Sequence, residues 1–340
     1  MRHPLSILYL ALLAGALSSC ASKPPAQAPA ASPSPAPASP RTEAAEASAL
    51  EAKPGGPPSV LRQARLRYEP ELARAGIAAP LIDITVGGVQ ATMLVDTGAA
   101  MHVLAPWLVR DAGLRSDEAD GGLYDATGRL LPVSVVRDVP AELEGWGALG
   151  AAQSFISSPF PSVFERLRIG GLLSPQLLAR GDETIMLDFR APSLSLEGPA
   201  PRPRVATPPS TFCRSPVGRL DNLLFLTPVT IGQSVARMTL DSGAGATQLN
   251  ESSSAGQKAL LNSAPTPMRA QGLAGRGVSL RVLENATVRL GSFEQRADVF
   301  VANVGSSYCA GEGRIGMDVL RSCRVGLGRS HFSISCLPGS

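Results

Sequence analysis

The feature that most constrains the fold of this chain is a short sequence that occurs twice. Residues 93–99 read MLVDTGA and residues 238–244 read MTLDSGA, so each copy is an apolar run ending in Asp, a small hydroxyl residue, Gly and Ala. A single Asp-Thr-Gly is most often a side-chain-to-backbone turn after a strand. Two copies, each behind a strand-like run, predict a duplicated unit that brings both acids together at a pseudo-twofold axis.

The segments before the two acids have the same order of signals. Residues 81–86 alternate like a strand and meet a Gly-Gly turn before the run into Asp96. Residues 224–231 meet a Gly-Gln turn before the run into Asp241. Each half therefore predicts a β-hairpin whose second strand ends at an acid.

The segments after the two acids also correspond. Residues 170–178 and 313–320 each contain an apolar pair, a small residue and a short helix-like stretch, at nearly equal distances from the two acids. Each half then ends in a hairpin-like segment, residues 184–196 and 323–336. Because strands predominate throughout, the sequence predicts an all-β protein.

Length and composition divide the chain into segments. Its 340 residues are enough for two domains with separate cores, and a proline-rich stretch lies near the middle of the ordered region. The predicted boundaries are an N-terminal lobe over 61–198, an inter-lobe linker over 199–210 and a C-terminal lobe over 211–338. Residues 61–75 either begin the first lobe or cover its cleft.

The N-terminus has the composition of an export signal. Arg2 and His3 precede an apolar stretch, residues 5–17, that is too short to span a bilayer. The sequence Leu-Ser-Ser-Cys ending at Cys20 resembles the lipobox of bacterial lipoproteins. The resemblance implies a signal peptide over 1–19 and lipidation of Cys20 in the cell envelope. The protein would face the periplasm or cell surface, and the absence of Asp after Cys20 favours the outer membrane. The alternative is an ordinary secretory signal.

Residues 20–60 are rich in Ala, Pro and Ser. Such a segment buries too little apolar surface to offset its chain entropy, so it is predicted to be a disordered tether. The charge of the whole chain is nearly balanced, with 31 Lys and Arg against 28 Asp and Glu. Because the basic residues are scattered, nothing indicates a nucleic-acid partner.

Four cysteines remain once Cys20 is assigned to lipid, and an even number in an exported protein indicates two disulfides. Residues 324–327 and 332–335 predict two strands around a turn, which sets Cys323 opposite Cys336 at cross-strand distance. Cys213 with Cys309 follows by elimination. No Cys or His cluster has zinc-ligand spacing, so no metal is expected.

The duplicated Asp tetrapeptides and the apolar-Gly elements resemble the pepsin/retropepsin superfamily of aspartic proteases, over roughly residues 75–338. The chain is most similar to the bacterial retropepsin-like group, with two lobes in one chain. The resemblance implies a bilobal acid-protease fold: two homologous β-barrel lobes with an inter-lobe cleft. It also implies that Asp96 and Asp241 are catalytic, without a cofactor, and that the hydroxyls of Thr97 and Ser242 cross-link the two loops. One chain supplies the whole site, so a monomer is expected.

Two touching carboxyl groups suit peptide hydrolysis, because like charges at contact cannot both ionise and the pair keeps one proton. One member is then a base and the other an acid, although the sequence does not assign them. Gly98 and Gly243 suit a tight loop because glycine tolerates unusual backbone angles. Ala99 and Ala244 lack the hydroxyl that pepsins carry there, which predicts activity at mildly acidic to near-neutral pH.

A flap is expected over the cleft to exclude water. Residues 123–128 are the candidate tip, in which Tyr124 either closes over the scissile bond or is only a turn residue. The matching segment of the second half is 272–275. Ser174 stands where the family has Gly, and Ala100 where many relatives have Ser or Thr; both bear on local packing.

The sequence therefore predicts a lipid-anchored aspartic endopeptidase that binds an extended polypeptide in its cleft. The alternative is a catalytically inactive relative that binds peptide or protein in the cell envelope. A purely structural lipoprotein would leave both Asp tetrapeptides unexplained. His102 and His331 are expected to be structural, and no nucleophile-elbow Gly-x-Ser-x-Gly indicates a serine hydrolase.

Overall fold

The protein is built mainly from β-strands, which confirms the predicted all-β class. The computed structural model describes residues 8–10, 60–74, 77–150, 154–198, 211–214, 223–273, 277–303, 311–329 and 332–337. The strands of the first half are β1 Leu8–Leu10, β2 Val60–Arg65, β3 Leu81–Val86, β4 Val89–Val95, β5 His102–Leu104, β6 Ser116–Tyr124, β7 Leu130–Val136, β8 Ala141–Leu143, β9 Gly147–Ala148, β10 Phe155–Ser157, β11 Ile169–Leu173, β12 Thr184–Asp188 and β13 Ser193–Glu197.

The second half contains ten strands in its described residues. They are β14 Thr211–Arg214, β15 Leu223–Ile231, β16 Ser234–Leu240, β17 Gln248–Asn250, β18 Ala264–Gln271, β19 Gly277–Leu290, β20 Phe293–Ala302, β21 Gly313–Ile315, β22 Cys323–Gly328 and β23 Phe332–Cys336.

Helices are short throughout the described chain. They are α1 Pro70–Arg74, α2 Pro106–Asp111, α3 Ser162–Arg166, α4 Ser254–Leu260, α5 Met317–Leu320 and a 3₁₀ turn Pro175–Leu178. None of these described helices has the length and apolar character needed to cross a membrane.

Two nine-stranded sheets repeat one strand order. The first runs β6-β7-β10-β5-β11-β4-β3-β8-β9, and the second runs β1-β18-β19-β20-β17-β21-β16-β15-β14. In each sheet an antiparallel hairpin (β3–β4 or β15–β16) lies beside a parallel neighbour (β11 or β21). The seven strands from β6 to β3 therefore correspond one by one to those from β18 to β15.

The strands that lead to the acids are buried on both faces at their ends. Val89–Val95 begins half-exposed and finishes with Met93, Leu94 and Val95 all buried. Ser234–Leu240 finishes in the same way. The alternating pattern gives way to a continuous apolar run because layers of the protein cover both sides of the strand there.

A third sheet of five strands joins the two halves in the order β2-β13-β12-β22-β23. The two hairpins predicted for the ends of the halves are present, and β12 pairs antiparallel with β22, placing Ile185 opposite Leu327. The sequence did not predict this pairing. β2 pairs with β13, so residues 60–65 are a strand of this sheet.

Several predicted features of the first 60 residues and of the linker lie outside the described residues. They include Cys20, residues 20–59 of the predicted tether and the linker over 199–210, whereas Val60, the last residue assigned to the tether, begins β2. Within the predicted signal peptide, Leu8–Leu10 pairs in parallel with β18 at the edge of the second sheet. The sequence had predicted no strand at this place.

The predicted disulfide between Cys323 and Cys336 is confirmed. The two residues face each other in the β22–β23 register, with Cα atoms 4.0 Å apart. Cys213 belongs to β14, whereas Cys309 lies outside the described residues, so that second pairing stays a prediction.

Replacing both Cys323 and Cys336 by Ser should lower the free energy of unfolding by about 3 kcal/mol, because the bridge closes a short loop that the unfolded chain would otherwise leave free. The urea midpoints of the wild-type and doubly substituted proteins measure this. Equal midpoints would show that the hydrogen bonds of the β22–β23 hairpin hold this edge of the sheet without the bridge.

Candidate active site

The structure brings the two predicted acids, Asp96 and Asp241, together. Each lies directly after the last residue of its strand, and each backbone N–H donates to the end of the adjacent parallel strand. The acceptor for Asp96 is the carbonyl of Leu173, at 2.9 Å, and that for Asp241 is the carbonyl of Ile315, at 3.0 Å. The apolar elements singled out in the sequence thus hold the start of the two acid loops.

The hydroxyls of Thr97 and Ser242 lock the two loops to each other. Thr97 Oγ1 donates to the carbonyl of Leu240 at 2.8 Å and accepts the N–H of Ser242 at 3.0 Å. Ser242 Oγ donates to the carbonyl of Val95 at 2.7 Å and accepts the N–H of Thr97 at 3.0 Å. This reciprocal set of four bonds, called the hydroxyl lock below, fixes the relative position of the two acids.

Gly98 and Gly243, which follow the hydroxyl residues, leave room for the carboxyl group of the opposite acid. A Cβ added to Gly98 would lie 2.7 Å from Cγ of Asp241, and one added to Gly243 would lie 2.7 Å from Cγ of Asp96. Neither glycine has a positive φ. The expectation that they serve unusual backbone angles is therefore wrong, and the close approach of the opposite carboxyl group explains them instead.

The carboxyl groups of the dyad (Asp96 and Asp241) are fully buried. Asp96 Oδ1 accepts the N–H groups of Gly98, at 2.8 Å, and Ala99, at 3.1 Å. Asp241 Oδ1 accepts the N–H of Ala244 at 3.0 Å. With both acids ionised, the buried Oδ2 of Asp96 would have no donor. A proton on Asp96 would let its carboxyl group donate to that of Asp241, which lies beside it.

Burial and the neighbouring Asp241 raise the pKa of Asp96 well above its ordinary value. Burial also raises the pKa of Asp241, against the opposing effect of the nearby Arg314. Both directions follow from the cost of placing negative charge in a dry interior. The arrangement favours one shared proton.

Side chains beneath the first loop hold it in place. Ser174 Oγ donates to the carbonyl of Ala99 at 2.7 Å, and Gln176 Nε2 donates to the same carbonyl at 2.7 Å. The N–H of Ser174 donates to Nδ1 of the buried His102 at 3.1 Å. Ser174 is thus hydrogen-bonded on both its side chain and its backbone, and His102 has a structural contact here.

Beneath the second loop, the supporting hydrogen bonds come from Thr247 and Asp318. Asp318 accepts the N–H of Thr247 at 2.9 Å and its hydroxyl at 2.8 Å. The N–H of Gly316 donates to Thr247 Oγ1 at 3.2 Å, so Thr247 takes the position of His102. Burial raises the pKa of Asp318 to about 6. Among the residues described, no group of three or more His, Cys, Asp or Glu could hold a metal ion.

One residue of the site was missed by the sequence analysis. Arg314 in β21 is almost fully buried, and its Nη1 lies 3.4 Å from Oδ2 of Asp241. Its Nη2 donates to the carbonyl of Ala126 at 3.1 Å. The only sequence signal was a single basic residue inside an apolar-Gly element.

The predicted flap tip is the turn of the β6–β7 hairpin. Asp125 Oδ1 accepts from the N–H and hydroxyl of Thr127 and from the N–H of Arg129, which fixes the turn. Tyr124 ends β6 and is half-buried, and it is the Ala126 carbonyl that bonds to Arg314.

The matching segment of the second half meets this hairpin tip. Gly272 lies against Asp125, since an added Cβ would clash with that carboxylate. Leu273 packs into the same apolar cluster as Leu123 and Leu172 of the first half. The remaining predicted tip residues, Ala274 and Gly275, lie outside the described residues.

Comparison with known proteins finds a similarity to a family of proteases over part of the chain. A family model described as aspartyl protease matches residues 82–146. The match runs from β3 through Asp96 and the β6–β7 hairpin and ends before Asp241. It supports the aspartic protease family and suggests a hydrolase. A search of curated proteins finds no match to the chain.

The hydroxyl lock can be tested with Thr97→Val, which keeps the shape of the side chain and removes its hydroxyl. The buried N–H of Ser242 and carbonyl of Leu240 would each lose a partner, so the free energy of unfolding should fall by about 2–4 kcal/mol. Urea denaturation measures the change. Thr85→Val, at a half-buried position of β3, is the matched control and should change it little. An equal loss in both variants would contradict a special role for the lock.

The partly buried Asp318 should make the stability depend on pH. Its pKa in the folded state, about 6, exceeds the ordinary value of 3.8. The stabilisation is therefore complete below about pH 4 and is lost as the pH rises through 6, by up to about 3 kcal/mol. Asp318→Asn should remove this part of the decrease between pH 4 and pH 7, measured by urea unfolding. The control is Asp138→Asn, an exposed acid with a positive φ that Asn tolerates. Identical pH slopes in all three proteins would refute this.

Proposed function

We propose that this protein is an aspartic endopeptidase that hydrolyses peptide bonds with a water molecule activated between Asp96 and Asp241. The observation that carries the proposal is the hydroxyl lock, which holds two buried carboxyl groups in contact. Like charges in contact favour a single proton shared by the pair. The aspartyl protease match over residues 82–146 supports the same class.

The proposed reaction uses one acid as base and the other as acid. The ionised carboxyl group accepts a proton from water while the protonated one donates its proton to the peptide carbonyl oxygen. Attack of the water oxygen on the carbonyl carbon gives a neutral tetrahedral intermediate. The acid that took the proton from water then gives it to the leaving nitrogen, while the other carboxyl group takes a proton from a hydroxyl of the intermediate. The C–N bond breaks, a carboxylic acid and an amine are released, and the dyad again holds one proton.

A polypeptide needs access to carboxyl groups that are fully buried in the described structure. We infer that the tip of the β6–β7 hairpin, with Gly272 and Leu273, moves away from the acids to admit an extended chain and then closes over it. The bond from Arg314 to the Ala126 carbonyl would break in this step. The two nine-stranded sheets would form the lobes on either side of the cleft.

The setting proposed for this activity is the bacterial cell envelope. Lipidation of Cys20 would anchor the protein, residues 20–60 would serve as a tether, and the folded part would act as a monomer on polypeptides. The near-balanced charge of the chain, with scattered basic residues, gives no reason to propose a nucleic-acid substrate.

Cleavage should depend on both acids. Asp96→Asn and Asp241→Asn should each reduce the hydrolysis of casein or a mixed peptide library by at least about 1000-fold, because an amide can neither take nor give the required proton. The measurement is the rate of new amino-terminus formation between pH 4 and pH 7. Asp138→Asn is the matched control, since it makes the same chemical change on an exposed loop, and it should cleave at the wild-type rate.

The wild-type protein decides between the proposed enzyme and the inactive peptide-binding alternative. Cleavage by wild type that is lost in both active-site variants supports the enzyme. If purified wild-type protein releases no new amino termini at any pH in this range, the endopeptidase proposal fails.

A further inference from the structure

Arg314 breaks the correspondence between the two halves at the dyad. Ile315 pairs with Leu240, the residue before Asp241, just as Leu173 pairs with Val95, the residue before Asp96. The position before Ile315 therefore matches Leu172, which is fully buried in an apolar cluster. A guanidinium group thus stands in the second half where the first half has an aliphatic side chain.

The guanidinium group of Arg314 forms a buried ion pair with the dyad. Arg314 and Asp241 have side chains that are 3% and 0% exposed, whereas every other ion pair of the described residues has at least one partly exposed member. Arginine keeps its charge in proteins, so this position carries a permanent positive charge. A buried charge is costly unless a counter-ion accompanies it.

Three acids act on this cation: Asp241, Asp96 and Asp125. Asp125 is on the hairpin tip, where its Oδ1 is already bonded to Thr127 and Arg129. Asp241 is the acid whose Oδ2 contacts Nη1 of Arg314. Two further titratable groups lie beneath the loops, His102 under the first and Asp318 under the second.

We propose that Arg314 is a positioning residue that fixes the negative charge of the dyad on Asp241 and leaves the proton on Oδ2 of Asp96. The cluster of Asp96, Asp241 and Arg314 then has no net charge, and the otherwise donorless Oδ2 of Asp96 donates to Asp241. Within the proposed function, on which these roles rest, Asp241 takes the proton from water and Asp96 donates to the substrate carbonyl.

The backbone hydrogen bonds to the two acids oppose this assignment, but their effect on the pKa is smaller than that of Arg314. Asp96 accepts two backbone N–H groups and Asp241 only one, which by itself favours charge on Asp96. Two or three such bonds together lower a carboxyl pKa by roughly two units, so a single extra bond contributes about one unit or less. An opposite charge at close range lowers it by about 1–3 units. The cation therefore decides where the charge lies.

The first test compares the stabilities of two isosteric variants and does not depend on enzymatic activity. Asp96→Asn replaces a neutral acid by a neutral amide, so its urea midpoint at pH 6 should equal or exceed that of wild type. Asp241→Asn removes the counter-ion of Arg314 and should lower the midpoint below both. A midpoint for Asp241→Asn that equals or exceeds that of Asp96→Asn would overturn the proposal.

The second test removes the cation. In an Arg314→Met background the difference in midpoint between the Asp96→Asn and Asp241→Asn variants should disappear, whereas in Arg314→Lys it should persist with the same sign. Persistence in the Met background would show that Arg314 does not set the asymmetry. If Arg314→Met does not fold, the first comparison alone decides.

The third test is the pH profile of cleavage. Arg314→Met should move the acid limb of kcat/KM upward by about one pH unit or more, because loss of a neighbouring cation raises the pKa of the dyad. Arg314→Lys should remain closer to wild type. A merely structural role would lower the whole profile without moving it, so superimposable limbs would count against the proposal.

Failure of the proposal is distinguishable from failure of the proposed function. A wild-type protein without cleavage removes the endopeptidase but leaves the midpoint comparison of Asp96→Asn and Asp241→Asn intact. Normal cleavage with reversed or equal midpoints removes only the charge assignment.

Discussion

The reciprocal hydrogen bonds of Thr97 and Ser242 are the interaction on which the rest of the site depends. Each hydroxyl both accepts an N–H of the opposite loop and donates to the strand end that precedes the opposite acid. All four bonds are buried, so loosening one loop would leave polar groups of the other without partners. Two carboxyl groups that repel each other when ionised can stay in contact only if the backbone around them is fixed in this way.

Much of this arrangement was predictable because the sequence is duplicated. Each copy can be recognised from its local pattern, and the repeat relates positions that are far apart in the chain. The alternation in residues 81–86 and the Gly-Gly turn after it gave the correct bounds of β3. The turn between two apolar runs set the register that places Cys323 opposite Cys336. The proximity of Asp96 and Asp241 followed from the assumption that equivalent positions of two repeated units meet at their axis.

The features that were not predicted depend on contacts between the halves. The pairing of β12 with β22 joins two strand edges that each look complete as part of a local hairpin. Leu273 packs among first-half residues that are far from it in the sequence. The role of Gly98 depends on the Asp241 carboxyl group opposite it and not on an unusual backbone angle, and the local sequence does not reveal that neighbour.

Arg314 shows how a nearly symmetric scaffold can make two identical acids unequal. The hydroxyl lock treats the two loops alike, and both acids lose hydration to the same full burial. A symmetric pair would share its proton without preference, and either member could serve as the base. A fixed charge beside one member removes that equivalence, and it requires burial of a cation whose contacting counter-ion is Asp241. The same guanidinium bonds to the carbonyl of Ala126 on the hairpin tip, so one side chain links the observed position of the tip to the proposed charge of the dyad. In the proposed opening of the tip, Arg314 would lose its hydrogen bond to the Ala126 carbonyl and keep its contact with Asp241. A backbone carbonyl group of an entering polypeptide could then accept the hydrogen bond in place of Ala126.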